Sequence, residues 1–288
     1  GLGDVYKRQF LGYARGRGVP LAASAGHLDN RQELAALLAS LASNRTIHAY
    51  LSGPEPVYTV RAGQHLSAAF YRNTIIHHFV EPAIAELSLL HAATREEGRV
   101  EAFWDEALRL RDILKFDFFF QEKHEFRVAM GEQLDSRLPD WERRLADGDD
   151  PTRMLEQLQP LHAFAVLRSF VEAYWIVGRA LLRNGDQAIG DERDFVRGCL
   201  ALGEQLVLQQ RVRSAEAVSK PLFVTGLQYA ASRHLTAASP DIESRRQAFD
   251  AEIGDLLGRL DVIEERGRAW FLRNIRAEDT LASVVASH

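Results

Sequence analysis

Cysteine is almost missing from this 288-residue chain, where Cys199 stands alone. That excludes an internal disulfide and a thiolate metal cluster, and leaves Cys199 to be read as a small buried hydrophobe on a helix. Lysine is nearly as scarce: only Lys7, Lys115, Lys123 and Lys220 contribute to the 35 basic residues. Arginine therefore carries almost all the positive charge, an imbalance that GC-rich codons explain without any chemistry. Against 40 acidic residues the net charge is -5, which suggests neither a basic nucleic-acid surface nor a polyanionic tail. No long apolar run occurs. The best candidate, residues 74–90, is interrupted by His77, His78, Glu81, Pro82 and Glu86, so it reads as a buried or partner-facing helix and no transmembrane span is expected. Internal repeats, low-complexity stretches and a signal peptide are not seen. What is present is ordinary globular material, 46% hydrophobic and 26% charged, enough for one large or two modest domains.

The chain opens without methionine. Residues 1–9, Gly-Leu-Gly-Asp-Val-Tyr-Lys-Arg-Gln, resemble translated adaptor sequence and are set aside as a probable scar, so that the informative text starts at Phe10. Residues 10–62 change periodicity partway. Asn30 with Glu33 reads as a capping box, followed by Leu34, Leu37, Leu38 and Leu41 at helical spacing. Then come the strand-like runs 46–51 and 57–60 around the turn-rich Ser52-Gly53-Pro54-Glu55-Pro56, a β-hairpin pattern. Helix followed by hairpin resembles a small winged-helix module.

Residues 63–288 read as helical almost throughout. Leu66, Phe70, Ile76, Val80, Ile84 and Leu87 keep a three-to-four spacing, with Pro82 expected to kink the segment. Further helices are expected over 100–115, 122–134, 160–182, 194–210, 222–234 and 240–271. Ser239 before Pro240 and Ser219 before Lys220 and Pro221 are expected N-caps. Breakers fall at 146–151 and at Asn184-Gly185-Asp186. The expected fold is mainly α, a multi-helix bundle preceded by a winged-helix-like segment with one β-hairpin.

Several clusters carry chemistry. Tyr71, Arg72, Asn73 and His77 form a polar group in an otherwise apolar stretch, and Asn73, His77 and Glu81 sit four apart, as a hydrogen-bonded row on one helical face would require. That pattern fits a substrate-proximal or docking site, or a buried network that satisfies itself. Adjacent histidines and the lack of an HExxH spacing argue against a metal site. Phe116, Phe118, Phe119 and Phe120, flanked by Lys115 and Lys123, suit either a bilayer interface or core packing where two helices meet. Arg213, Ser214 and Glu216 lie in a loop before a helix, where Arg211 and Arg213 have the chemistry to hold a phosphate or an acidic surface, or to stay solvated. DNA binding by the winged-helix-like segment is disfavoured, because its would-be recognition helix carries Arg31 alone, with Arg45 just after it.

Three blocks in order carry a family resemblance: Phe70-Tyr71-Arg72-Asn73-Thr74-Ile75-Ile76-His77 with Ala83-Ile84-Ala85-Glu86-Leu87; Glu106 through Phe116 with its phenylalanine run; and Ser214-Ala215-Glu216 through Ser219 to Leu222-Phe223. Val57-Tyr58 and Gly63-Gln64-His65 fit as well. Together they resemble the C-terminal half of bacterial membrane-associated glycerol-3-phosphate acyltransferases. The resemblance implies a catalytic α/β domain ahead of this helical region. It also implies acyl transfer from acyl-CoA or acyl carrier protein to the sn-1 hydroxyl of glycerol 3-phosphate, without a cofactor, at the cytoplasmic face of the membrane. The family's His-x-x-x-x-Asp motif, in which histidine takes the hydroxyl proton, is missing: none of the ten histidines has aspartate five positions on, and His91 with Glu96 comes nearest. No catalytic residue, metal or nucleic-acid partner is assigned. The chain is expected to pack on the upstream catalytic domain and to be inactive alone. The rival reading is a stand-alone helical adaptor.

Overall fold

The computed structural model describes residues 31–52, 57–61, 63–64, 67 and 73–286. By contacts it divides into two compact units, residues 1–78 with 278–288, and residues 79–277. In the first unit, α1 (Arg31–Ser43) is followed by β1 (Ile47–Tyr50) and β2 (Val57–Val60). The leucine spacing does make a helix, with Leu38 and Leu41 half-buried and Leu37 exposed. Arg45 turns the chain out of it at a left-handed φ of 58°. The strands are antiparallel, pairing Ile47 with Val60 and Tyr50 with Val57. Asn30, the hairpin turn and the residues ahead of Arg31 lie outside the described residues, so the described part of the winged-helix-like segment is one helix and one hairpin.

The expected helix across residues 66–87 is interrupted, Ser67 and Asn73 being helical ahead of the break. Thr74–Ile76 form a turn and α2 runs from His77 to Ala92, taking Pro82 inside it. The second unit continues with α3 (Arg99–Leu114), α4 (Lys123–Asp135), α5 (Trp141–Ala146), α6 (Pro151–Gln157), α7 (Ala163–Arg183), α8 (Glu192–Leu208), a 3₁₀ turn (Ala215–Ala217), α9 (Lys220–Ser232) and α10 (Ile242–Ala286). The breaker at 146–151 separates two short helices, α5 ending at Ala146 and α6 beginning at Pro151. Asp150 caps α6 by accepting from the Thr152 N–H at 2.9 Å, with Pro151 at the first helical position. Ser239 is not the cap of the last helix. Its hydroxyl donates to Asp241 at 2.8 Å, and α10 begins at Ile242.

The amphipathic α7 is the axis of the second unit, with most of its length buried. Gly226 lets α9 approach closely, since a Cβ there would stand 3.0 Å from the Tyr174 ring. Gly203 does the same for α8, where a Cβ would meet Val218 at 3.1 Å. Along α10, Ile242, Arg246, Phe249, Ile253, Leu256, Leu260 and Ile263 are buried at alternating four- and three-residue steps, a single stripe that meets its neighbours every turn. Each such apolar side chain contributes about 1.5–3 kcal/mol when fully buried. The stripe lies antiparallel on α7: a Cβ at Gly178 would meet Phe249 at 3.2 Å, and one at Gly267 would meet Phe164 at 3.7 Å. Arg246 occupies the stripe position between Ile242 and Phe249 and is fully buried.

Candidate functional site

Burying a charge is costly unless it is paired and hydrogen-bonded, so the places where this molecule does so mark what its sequence spends charge on. Besides Arg246, four such places lie in the second unit. On α7, the buried Glu172 accepts from the backbone N–H groups of Arg213 at 3.0 Å and Ser214 at 2.8 Å. One turn earlier, Arg168 is paired with Asp261 at 2.8 Å and Glu264 at 3.0 Å on α10, and Arg213 reaches the same two carboxylates at 3.0 and 3.2 Å. This seam clamps the loop before the 3₁₀ turn onto α7 and α10.

The second place joins α3 to α10. Arg109 grips the buried Glu106 with two hydrogen bonds, at 2.7 and 2.8 Å, and reaches Glu252 at 2.6 Å; Arg259 pairs with Glu106 from the far side. Burial alone would raise the Glu106 carboxyl, but the two arginines hold it below the usual carboxylate range. In the third, Asp117 accepts from the Tyr174 hydroxyl at 2.6 Å and from Thr225 at 2.8 Å, linking the loop after α3 to α7 and α9. Burial raises the Asp117 carboxyl against these bonds. The fourth is Glu86 on α2. Its carboxylate caps α7, accepting from the N–H of His162 at 2.9 and 3.0 Å and of Ala163 at 2.8 Å. Burial pushes Glu86 up to about 8 and the His162 imidazole down to about 4.

The residues singled out by sequence fare unevenly. Tyr71 and Arg72 lie outside the described residues. Asn73 and His77 are exposed, and the Thr74–Ile76 turn lies between them. Of the expected row, His77 and Glu81 share α2, and the His77 and His78 rings lie 4.0 Å apart. Arg213 and Ser214 belong to the seam on Glu172, and Arg213 is committed to carboxylates rather than open to a phosphate; Glu216 sits half-buried in the 3₁₀ turn. Of the phenylalanines, three turn inward: Phe118 packs 4.8 Å from Phe170, Phe120 5.7 Å from Phe126, and Phe116 6.4 Å from Tyr229. They serve as core packing, and of the four proposed membrane contacts only Phe119, 96% exposed, projects into solvent.

Cys199 is buried, and its thiol is pushed up to about 12, which suits an inert packing residue. Among the described residues no group of histidine, cysteine and carboxylates is placed to hold a metal ion, and no helix is long and apolar enough to cross a membrane. A cleft of about 550 Å³ beside the start of α3 is rimmed by Glu96, Glu97, Glu101, Glu142, Arg99 and Arg143. It has no nucleophile–base pair. The residues that sequence reasoning passed over, Glu86, Arg168, Glu172 and Arg246, share one signal: each is a charge at an apolar step of a helix.

This mainly helical body, with its charge turned inward to lock helices together, matches a known type of region. Residues 8–239 fit the family described as the glycerol-3-phosphate acyltransferase C-terminal region, and the chain belongs to that family. Among curated relatives, the protein named "Putative acyltransferase plsB1" in Mycobacterium bovis is 39% identical over 258 residues, covering 85% of this chain and 40% of its own length. The proteins of the same name from two strains of Mycobacterium tuberculosis match to the same extent. The chain thus spans about two-fifths of the length of these relatives. No solved structure matches it.

Proposed function

We propose that this chain is the C-terminal part of a glycerol-3-phosphate 1-O-acyltransferase and that it supports a preceding catalytic domain without supplying catalytic groups of its own. The observation that carries the reading is the family match across residues 8–239, taken with the missing His-x-x-x-x-Asp motif. Acyl-CoA or acyl carrier protein and glycerol 3-phosphate would then be bound by the preceding domain. The four charge clusters support a scaffolding role, because each ties separate elements of the helical unit together. The exposed Asn73 and His77, with their neighbours Tyr71 and Arg72, are the proposed contact with that domain.

The test is to assay release of CoA from acyl-CoA in the presence of glycerol 3-phosphate. The longer polypeptide encoded with this chain should be active and residues 1–288 alone inactive. Activity in the isolated chain, or an open reading frame that starts near Phe10 with no acyltransferase domain ahead of it, would overturn the reading in favour of a free-standing helical adaptor. Peripheral association with the cytoplasmic face of the membrane is part of the same proposal, supported in this chain by Phe119.

A further inference from the structure

The β1–β2 ribbon is an unusual surface for a chain in which 26% of residues are charged. Its eight strand residues, Ile47-His48-Ala49-Tyr50 and Val57-Tyr58-Thr59-Val60, include no charged side chain apart from a titratable imidazole. Side chains alternate along each strand, and the observed pairing puts Ile47, Ala49, Tyr58 and Val60 on one face and His48, Tyr50, Val57 and Thr59 on the other. The first face carries the buried Ile47 and the half-buried Ala49 and Val60. All four residues of the second are exposed, Tyr50 to 55% and Val57 to 59%, and Leu51 beyond them is 70% exposed. A water-facing sheet surface ordinarily alternates to polar residues. Here the outer face mixes His48 and Thr59 with an exposed Tyr50–Val57 rung and carries no carboxylate, lysine or arginine.

Among the described residues the edges are lightly protected: the Arg61 side chain donates to the outward carbonyl of Ile47 at 3.2 Å, and the strands carry no other cover. The Arg61 N–H donates to the Thr46 carbonyl at 3.2 Å. In an antiparallel ladder, residues that exchange hydrogen bonds alternate with residues that do not, so the amides and carbonyls of Ala49 on β1 and Tyr58 on β2 face away from the partner strand. The sheet has two strands and no more among the described residues. Neither edge carries the lysine, proline or bulge that natural proteins use to keep an open edge from pairing. A two-stranded ribbon alone in water is marginal, and an open edge invites an added strand.

We infer that this ribbon is the docking surface for an extended segment of the polypeptide that precedes it in the full-length enzyme, which covers the Tyr50–Val57 face and pairs with one open edge. The commitment to that occupant rests on length and position: the relatives are more than twice as long as the part they share with this chain, and the ribbon lies in the first quarter of the 288 residues, towards the end from which the rest of such a polypeptide would arrive. The inference rests on the proposed reading of the chain as an acyltransferase C-terminal part.

The experiment compares amide hydrogen exchange in residues 1–288 with exchange in the full-length polypeptide. Docking slows exchange on the order of tenfold or more at residues 47–51 and 57–60, with Ala49 or Tyr58 identifying the paired edge. The double variant Tyr50→Glu with Val57→Lys places opposite charges across one rung, which keeps the ribbon paired while charging its outer face. It should abolish the slowing in the full-length protein and leave the melting temperature of the isolated chain unchanged. Equal exchange rates in the two proteins would overturn the inference, as would protection in the isolated chain that grows with concentration, which would assign the face to a second copy. Acyltransferase activity measured on the same full-length sample separates the two ideas: an active enzyme with an unprotected ribbon defeats the docking inference alone, whereas a protected ribbon in an inactive protein defeats only the functional reading.

Discussion

Replacing Arg246 with methionine tests the packing logic of the helical unit most directly. The guanidinium is fully buried in the apolar stripe of α10 and, among the described residues, has no carboxylate within ion-pair distance. Instead its Nε and Nη2 donate to the Leu235 carbonyl at 3.0 and 2.9 Å, and its Nη1 donates to the Gly185 carbonyl at 2.6 Å. Those carbonyls lie just past the C-terminal ends of α9 and α7, where the helix dipoles favour a cation. Two effects oppose each other in the variant. Methionine fills the space of the arginine stem and spares the cost of burying a charge, a replacement that can be neutral or stabilising where a buried ion is poorly compensated. Against that, two carbonyls lose every donor that reached them from α10, at about 1–3 kcal/mol for each one left without a partner. Because all three bonds are within good hydrogen-bond distance and the charge is matched by two helix ends, the loss should win by about 2–4 kcal/mol, which for a unit of this size lowers the melting temperature by roughly 5–15 °C. Arg246→Lys keeps the charge but has no planar fork to span both carbonyls, so it should fall between the two. Urea and thermal denaturation followed by circular dichroism measure this. A methionine variant as stable as the parent would show that desolvation cancels the hydrogen bonds and would refute the reasoning.

Three further outcomes follow from the buried charges and the exposed loop. Glu172→Ala should destabilise the fold by about 3–5 kcal/mol and speed amide exchange at Arg213 and Ser214, with Glu172→Gln milder; unchanged exchange there would mean the clamp is not what holds the loop. Burial raises Glu86 from 4.5 to about 8, so its contribution to stability is full below pH 4.5 and is lost as pH rises through 8, whereas His162, lowered from 6.5 to about 4, contributes above pH 6.5 and loses that as pH falls through 4. Stability should therefore decline from pH 6.5 towards 8.5 in the parent and stay level there in Glu86→Gln; melting curves with the same alkaline slope in both would exclude Glu86 as the cause. Phe119→Ser should reduce flotation of the chain with phospholipid vesicles by roughly tenfold or more, given the apolar area a phenylalanine buries. Equal flotation of parent and variant would remove Phe119 from any membrane contact.

The local pattern of the sequence was enough to place most of the helices and the hairpin. Residues 100–115 and 122–134 form helices within a residue or so of their expected ends, because apolar spacing and helix propensity are properties of neighbouring residues. The stretch 146–151 interrupts the helices as its composition requires, and its last two residues do a second job: Asp150 and Pro151 also open α6. The ordered blocks around Arg72, Arg109 and Ser214 also sufficed to name the family.

What the sequence leaves open is which charges are buried and with whom. Arg246 and Arg245 are adjacent and chemically identical in the text, yet one is sealed between the ends of α7 and α9 and the other is exposed enough to reach Asp241 and the Arg233 carbonyl. Glu172 and Ser214 are separated by 42 positions, and Glu106 meets Arg259 across 153. Such pairings depend on how α3, α7, α9 and α10 are laid side by side, a matter of long-range packing that no local window contains. The phenylalanine run divides in the same way: its composition fixes four aromatic side chains, and only the position of Phe170, Phe126 and Tyr229 turns three of them inward and leaves Phe119 in water.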